Sequence, residues 1–243
     1  MDRVNVSLDV ARGDAASISL FNNKIWWVTG GFNGGWQRHK TTEMFRIEDG
    51  RIVGKVEEPP LLPSYYDSAG HCMARVDTNH VFIAGGTFSN AFLYDELSGN
   101  FTELPRLRCA RSNAACTTVT IENTSMLMVI GGLCYSDESA DFKVETLNMT
   151  QWEEGGASWE INTWLLGNIG SFYDGGYVTY GDSRGPVMLG SKEYAWNPNL
   201  DLSDKIFNFN STTETFKMLP HQLHYHRHGH AVALIPDNEI KCG

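Results

Sequence analysis

Long apolar runs are missing from this chain. No stretch approaches the ~20 residues that a membrane-spanning helix needs, and Met1-Asp2-Arg3-Val4-Asn5 opens no apolar secretory core, so no signal peptide is legible. An excess of positive charge is missing too: 19 Lys and Arg stand against 29 Asp and Glu, a formal net charge of −10. That balance argues against a nucleic-acid or anionic-membrane surface over the whole protein, while leaving room for a local basic patch. Cysteines are few. The five (Cys72, Cys109, Cys116, Cys134 and Cys242) include no CxxC pair, which gives neither a zinc knuckle nor a redox motif. A nucleophile elbow, a P-loop and a zincin helix are also lacking. Nothing in the sequence therefore supports an enzyme, and it calls for no cofactor and no metal.

What the chain does hold is enough apolar material for a sizeable core, with 42% hydrophobic residues, 24 Gly and 7 Trp in 243 residues. All-β domains of this length are often single. The pattern is one of short strands in series. His71-Cys72-Met73-Ala74 is a strand of small residues, and His80 to Ala84 is an apolar strand that ends in Gly85-Gly86. Leu93-Tyr94-Asp95 and Phe101-Thr102-Glu103-Leu104-Pro105 complete a set of four, turning at Leu97 to Asn100.

The same set recurs about every 45–60 residues. Before it, Ser17 to Phe21 turns at Asn22-Asn23 into Lys24 to Thr29 and the pair Gly30-Gly31. Thr42 to Ile47 then turns at Asp49-Gly50 into Arg51 to Val56. After it, Asn113 to Val119 and Ser125 to Ile130 lead to Gly131-Gly132, then to Val144 to Leu147, with Trp152 marking a fourth strand. Residues 153–169 fit less well, and Trp159 and Trp164 there read as core aromatics of an insertion. A fourth set runs from Gly176 through Pro186 to Leu189 and a lone Gly190, then from Phe209 to Phe216, in step with Tyr94 to Phe101. A fifth starts at His228 and stops at Gly243. Val4, Val6, Leu8 and Val10 alternate with polar residues and predict one more strand before the first set.

Apolar-Gly-Gly, then aromatic-Asp, then an aromatic followed by Leu-Pro: in that order and at that period, these units resemble kelch repeats. The resemblance implies an all-β fold, a kelch-type β-propeller. Units at 14–60, 68–107, 111–165 and 170–220 would be four complete four-stranded blades, with 228–243 a partial blade and 1–12 a possible closing strand. Kelch rings usually have six blades, so the expectation is an incomplete ring, part of a longer protein, with a tight five-bladed ring as the alternative. The structural glycines would be Gly30, Gly31, Gly85, Gly86, Gly131, Gly132 and Gly190, where close sheet packing and a positive φ are needed.

The resemblance further implies a contact face built from the loops between blades and those joining second to third strands. Those loops hold Trp36, Arg38, Tyr65, Tyr66, Arg106, Arg108, Arg111, Tyr135, Tyr225, His226 and Arg227. Aromatics and arginines on loops are what a peptide-binding surface uses, and Arg106, Arg108 and Arg111 suit a carboxylate-rich segment. The function expected is non-catalytic binding of a protein or peptide partner, acidic in its contact segment. A galactose-oxidase-like or sugar-modifying enzyme, or an extracellular matrix- or glycan-binding protein, is the alternative. His221, His224, His226, His228 and His230 crowd one segment but lack a nearby carboxylate or Cys, and read as loop and strand residues rather than a metal site.

Sequons stand at Asn5, Asn100, Asn123, Asn148 and Asn210. Cys72 and Cys116 fall at matching first-strand positions. Free buried thiols are expected in a reducing compartment, with Cys109–Cys116 or Cys116–Cys134 bridges as the extracellular alternative. The compartment is thus open: cytoplasmic, or extracellular behind an upstream leader. Arg12-Gly13-Asp14 reads as a turn rather than an integrin-binding tripeptide.

Overall fold

A computed structural model describes residues 6–63, 66, 68–134, 144–162, 176–179, 186–189, 204–210, 212–213 and 215–225. Expectations placed on Asn5, Tyr65, Tyr135, Trp164, Gly190, His226, Arg227 and the 228–243 unit lie outside those residues.

Alternation and turn chemistry produce antiparallel meanders. β1 (Ala16–Leu20), β2 (Ile25–Thr29), β3 (Thr42–Glu48) and β4 (Arg51–Lys55) form one sheet in chain order. β5 (His71–Arg75), β6 (His80–Gly85), β7 (Ala91–Asp95) and β8 (Phe101–Leu104) form the second. In the third, β9 (Arg111–Ser112) precedes β10 (Ala115–Ile121) and β11 (Thr124–Ile130), and β12 (Leu133–Cys134) precedes β13 (Val144–Asn148). A short helix α1 (Met149–Glu153) then leads to β14 (Glu160–Asn162); the sheet order is β10-β11-β13-β14, with β9 paired to β12 apart from it. β15 (Gly176–Thr179), β16 (Pro186–Leu189), β17 (Lys205–Asn210) and β18 (Thr215–Gln222) are the fourth sheet.

The turns explain themselves. Asn22 and Asn23 sit at φ 54° and 64°, and Asp49-Gly50 at 48° and 70°, the left-handed values that short hairpins require and that Asn, Asp and Gly tolerate. Phe209 pairs with Phe216 as Tyr94 pairs with Phe101.

Two strand expectations fail. Val6 to Val10 form no strand. The amides of Asp9 and Val10 bond instead to the carboxylate of Glu43, and Leu8 is exposed, so the alternation has no sheet to join. Trp152 lies on α1 and not on a fourth strand; Asn148 caps that helix, its side-chain oxygen accepting from the Gln151 amide at 3.0 Å, and the strand comes later as β14. Trp159 is a core residue, fully buried, stacked on Phe82 at 5.6 Å and donating to the Pro105 carbonyl at 2.7 Å.

Successive strand residues point to opposite faces, and both faces are buried. On β6, Val81 and Ile83 pack toward the first sheet with Leu20, Trp27 and Met44. Phe82 and Ala84 pack toward the third sheet with Leu127, Val129 and Trp159. On β11 the pattern repeats: Leu127 and Val129 turn to the second sheet, Met128 and Ile130 to Met188 and Phe207 of the fourth. Truncating Phe82 to Ala would cost about 3–5 kcal/mol, as for other buried aromatics.

The first strands of neighbouring sheets lie side by side and parallel. Gly70 donates its amide to the Asp14 carbonyl, and Asn113 donates to that of Gly70, each at 2.8 Å. These three residues occupy matching places, and all have positive φ. Further along, Arg75 donates to the Ser19 carbonyl and Thr118 donates to that of Arg75. Between these levels Cys72 and Cys116 form a disulfide, Cα atoms 5.3 Å apart. Cys109 and Cys134 form a second, with Cα atoms 5.7 Å apart, beside the β9–β12 pair. The expected thiols, and the alternative bridges Cys109–Cys116 and Cys116–Cys134, are thereby corrected. The expected match of Cys72 with Cys116 is off by one residue: Cys72, opposite Ala84, matches Ala115, opposite Ile130, and the one-residue step puts the two cysteine side chains on facing sides of neighbouring first strands.

Candidate contact face

In an antiparallel meander the second-to-third connections and the links from one sheet to the next share an end. Because β1, β5 and β10 run parallel, that end is common to the first three sheets. The loops there hold one another. The Thr42 hydroxyl donates to the Pro60 carbonyl, the Leu62 amide to Lys40 O, and the Leu107 amide to Ser89 O.

Trp36 is the most prominent side chain on this end, at 79% relative exposure. Its loop is stiff. Phe32 exchanges two backbone hydrogen bonds with Gly13, at 2.8 and 2.9 Å. The Asn33 side-chain oxygen accepts from the amides of Gly35 and Gln37, and Trp36 N donates to Asn33 O at 2.9 Å. Trp36 itself has φ 62° and lies flat on Phe32, centroids 4.8 Å apart and planes 13° from parallel. An indole held this way loses little entropy on meeting a partner. Arg38, two residues on, is exposed.

Arg106 is exposed on the link between the second and third sheets. Arg108 is exposed but tethered: its Nε donates to Trp159 O at 2.9 Å, and its amide donates to Glu145 Oε2 at 2.7 Å. Tyr225 is exposed and packs edge-on against His224.

Two of the expected contact residues are not at the surface. Tyr66 is fully buried and donates to the Gly85 carbonyl at 2.7 Å; burial pushes its phenol up, and it serves as an internal donor. Arg111 is also fully buried, its Nε 2.7 Å from Glu145 Oε1 and its Nη1 2.9 Å from the Gly131 carbonyl. Its charge is therefore spent inside the sheet. Arg12 of the Arg-Gly-Asp tripeptide is buried likewise, against Glu43 at 3.1 Å and the Gly30 carbonyl at 2.7 Å.

Comparison of the units could have exposed these pairs. Arg12-Gly13-Asp14-Ala15-Ala16 and Arg111-Ser112-Asn113-Ala114-Ala115 share their first, fourth and fifth residues, and Glu43 and Glu145 are each the second residue of a third strand.

Deeper in, His71 bonds through Nε2 to the Thr29 hydroxyl at 2.7 Å across the first two sheets. Its Nδ1 is buried without a hydrogen-bond partner, and desolvation lowers its pKa from 6.5 to about 4, so the ring is neutral near pH 7. Glu96 reaches across the same junction at the opposite end, accepting from the Phe21 amide at 2.6 Å and lying 2.5 Å from the Arg75 guanidinium.

The glycine pairs set how closely sheets approach. A Cβ on Gly85, at φ 77°, would meet the Arg111 carbonyl oxygen at 2.7 Å. The amide of Gly31 donates to Ser68 O at 2.8 Å, and that of Gly86 donates to Arg111 O. These two pairs thus reach into the first-strand approach of the following sheet. No protein-family model matches the chain, and no curated protein matches it.

Proposed function

We propose that the four sheets are consecutive blades of a kelch-type β-propeller, and that the protein is a binding scaffold. Its partner is a protein or peptide with an acidic segment. The parallel side-by-side first strands of the first three sheets, the burial of both faces of the second and third, and the glycine pairs at the first two junctions support the propeller reading. The contact end is the one carrying Trp36, Arg38, Arg106 and Arg108, with Tyr225 on the fourth sheet. Arg111 and Tyr66 belong to the scaffold beneath it.

The observation that carries the binding reading is Trp36, a large aromatic held rigid and left in water. Exposed aromatics flanked by arginines are the residue types that dominate binding energy at protein interfaces. In a chain of net charge −10 these arginines are cations available to an acidic segment, on an end that also carries exposed Glu57 and Glu58.

Selection of displayed peptides on the intact protein tests this. Peptides rich in Asp and Glu with an apolar anchor should be enriched. Their binding should weaken at least tenfold in Trp36→Ala and in Arg106→Ala/Arg108→Ala, with thermal stability unchanged in Trp36→Ala. No enrichment, or binding indifferent to both variants, would refute it. A glycan ligand is the second reading, favoured by the flat exposed indole, which suits a sugar face. An oligosaccharide array probed with the wild type and Trp36→Ala separates the two.

A further inference from the structure

We propose that Asn100, Asn123 and Asn210 carry N-linked glycans, on the ends of the sheets opposite Trp36, and that the protein matures in an oxidising secretory compartment. Three observations meet here. The first is chemical: each Asn is followed two positions later by Thr or Ser, Asn100-Phe101-Thr102, Asn123-Thr124-Ser125 and Asn210-Ser211-Thr212.

The second is placement. All three asparagines are exposed and stand at hairpin turns, between β7 and β8, β10 and β11, and β17 and β18. Turns of the first-to-second and third-to-fourth kind share one end of a meander. For the second and third sheets that end is common, because β5 and β10 run parallel. It is the end away from Trp36, Arg38, Arg106 and Arg108. The side-chain oxygen of Asn210 accepts from the amides of Thr212 and Thr213 at 2.9 and 3.1 Å, and glycosylation at nitrogen leaves that oxygen in place. Asn148 differs. It is half-buried, caps α1, and is followed by buried Met149, which packs in the core. It alone of the four is not fully exposed, and we take it to stay bare.

The third observation is independent of the sequons. Four cysteines are paired, Cys72 with Cys116 and Cys109 with Cys134, and such bridges persist where the surroundings are oxidising. The co-reactant is a lipid-linked oligosaccharide pyrophosphate. The Asn amide nitrogen attacks the anomeric carbon of its first sugar and gives up one proton to a base on the transferase. The bond from that carbon to the pyrophosphate oxygen breaks, and the lipid pyrophosphate leaves with the electron pair. No oxidation or reduction is involved.

The inference does not depend on the partner proposed above, and either can fail alone. The test is translation of the full chain, behind a cleavable leader, in the presence of microsomes. Only protease-protected chains are scored, so each has met the transferase. With Asn5→Gln as the background, three glycan steps removable by an N-glycosidase should appear. Asn100→Gln, Asn123→Gln and Asn210→Gln should each lose one, and Asn148→Gln none. Alkylation after reduction should label four more thiols than alkylation before it, two per bridge. Protected chains bare at all three sites, or glycan on Asn148 in their place, would overturn the proposal.

Discussion

At one place in the fold the second and third sheets solve the same problem differently. Four residues before the first-strand residue that faces the end of the Gly-Gly strand, the third sheet has Arg111 and the second has Ser68; those facing pairs are Ala115–Ile130 and Cys72–Ala84. On the third strand, Glu145 opposite Val129 matches Phe92 opposite Ile83. The first sheet sides with the third, through Arg12 and Glu43. In all three, the carbonyl of the first glycine of the pair is satisfied. Arg12 and Arg111 donate to it in two sheets, while Tyr66 at 2.7 Å and Ser68 at 3.2 Å donate to it in the second.

The constant is therefore the buried carbonyl, which must be bonded. A guanidinium that meets this need requires a counter-charge, hence Glu. A hydroxyl requires none, and the freed position holds Phe92, whose ring meets that of Tyr66 edge-on at 5.1 Å.

The largest break in this comparison is Glu145→Ala. It strands a fully buried guanidinium and should cost about 3–5 kcal/mol in chemical denaturation. Replacing both partners by the residues at the matching places of the second sheet, Arg111→Ser with Glu145→Phe, should cost less than Glu145→Ala alone, because no charge is left unpaired. A double variant as unstable as the single would show that the unpaired charge is not what makes Glu145→Ala costly.

The bridge between these two sheets comes next. Cys72→Ser/Cys116→Ser opens a loop of sequence separation 44, and chain-entropy reasoning gives a loss of about 3–4 kcal/mol. Denaturation midpoints with and without reductant should converge to the extent that this bridge carries the difference.

The junction of the first and second sheets has no bridge among the described residues, and His71 sharpens the contrast there. Between its ordinary value of 6.5 and its folded value of about 4, the unfolded chain binds a proton that the folded chain refuses. Stability is thus full above pH 6.5 and declines on acidification toward pH 4, by roughly 3 kcal/mol. His71→Gln keeps a bond to Thr29 within reach and should flatten that part of the profile. An unchanged slope would remove His71 as its source. Tyr66→Phe should be the mildest change, about 1 kcal/mol, because Ser68 still serves the Gly85 carbonyl.

Strands and turns were legible because local chemistry decides them. Alternation sets the face, and Asn22-Asn23 or Asp49-Gly50 supplies the backbone freedom a turn demands. Trp36 was legible as a loop residue for the same reason. Arg111 and Tyr66 were not, since a loop position does not reveal that the chain is dipping between sheets to answer a carbonyl. The Val4–Val10 alternation misled because period two shows a face but not a partner strand. Cys72 and Cys116 were read as equivalent but are offset by one residue: Cys72 matches Ala115, and that single step, which turns a side chain to the other face of its strand, points the two sulfurs at each other once the units stand side by side.

The account rests on sheets joined at their first strands by backbone bonds that run from Asp14 through Gly70 to Asn113. Native-state hydrogen exchange tests it at two amides that lie just outside the strands. Gly70 and Asn113 should exchange as slowly as the amides of β6, opening only when the whole protein unfolds. Exchange of these two at the rate of the exposed turn at Gly99 would contradict it.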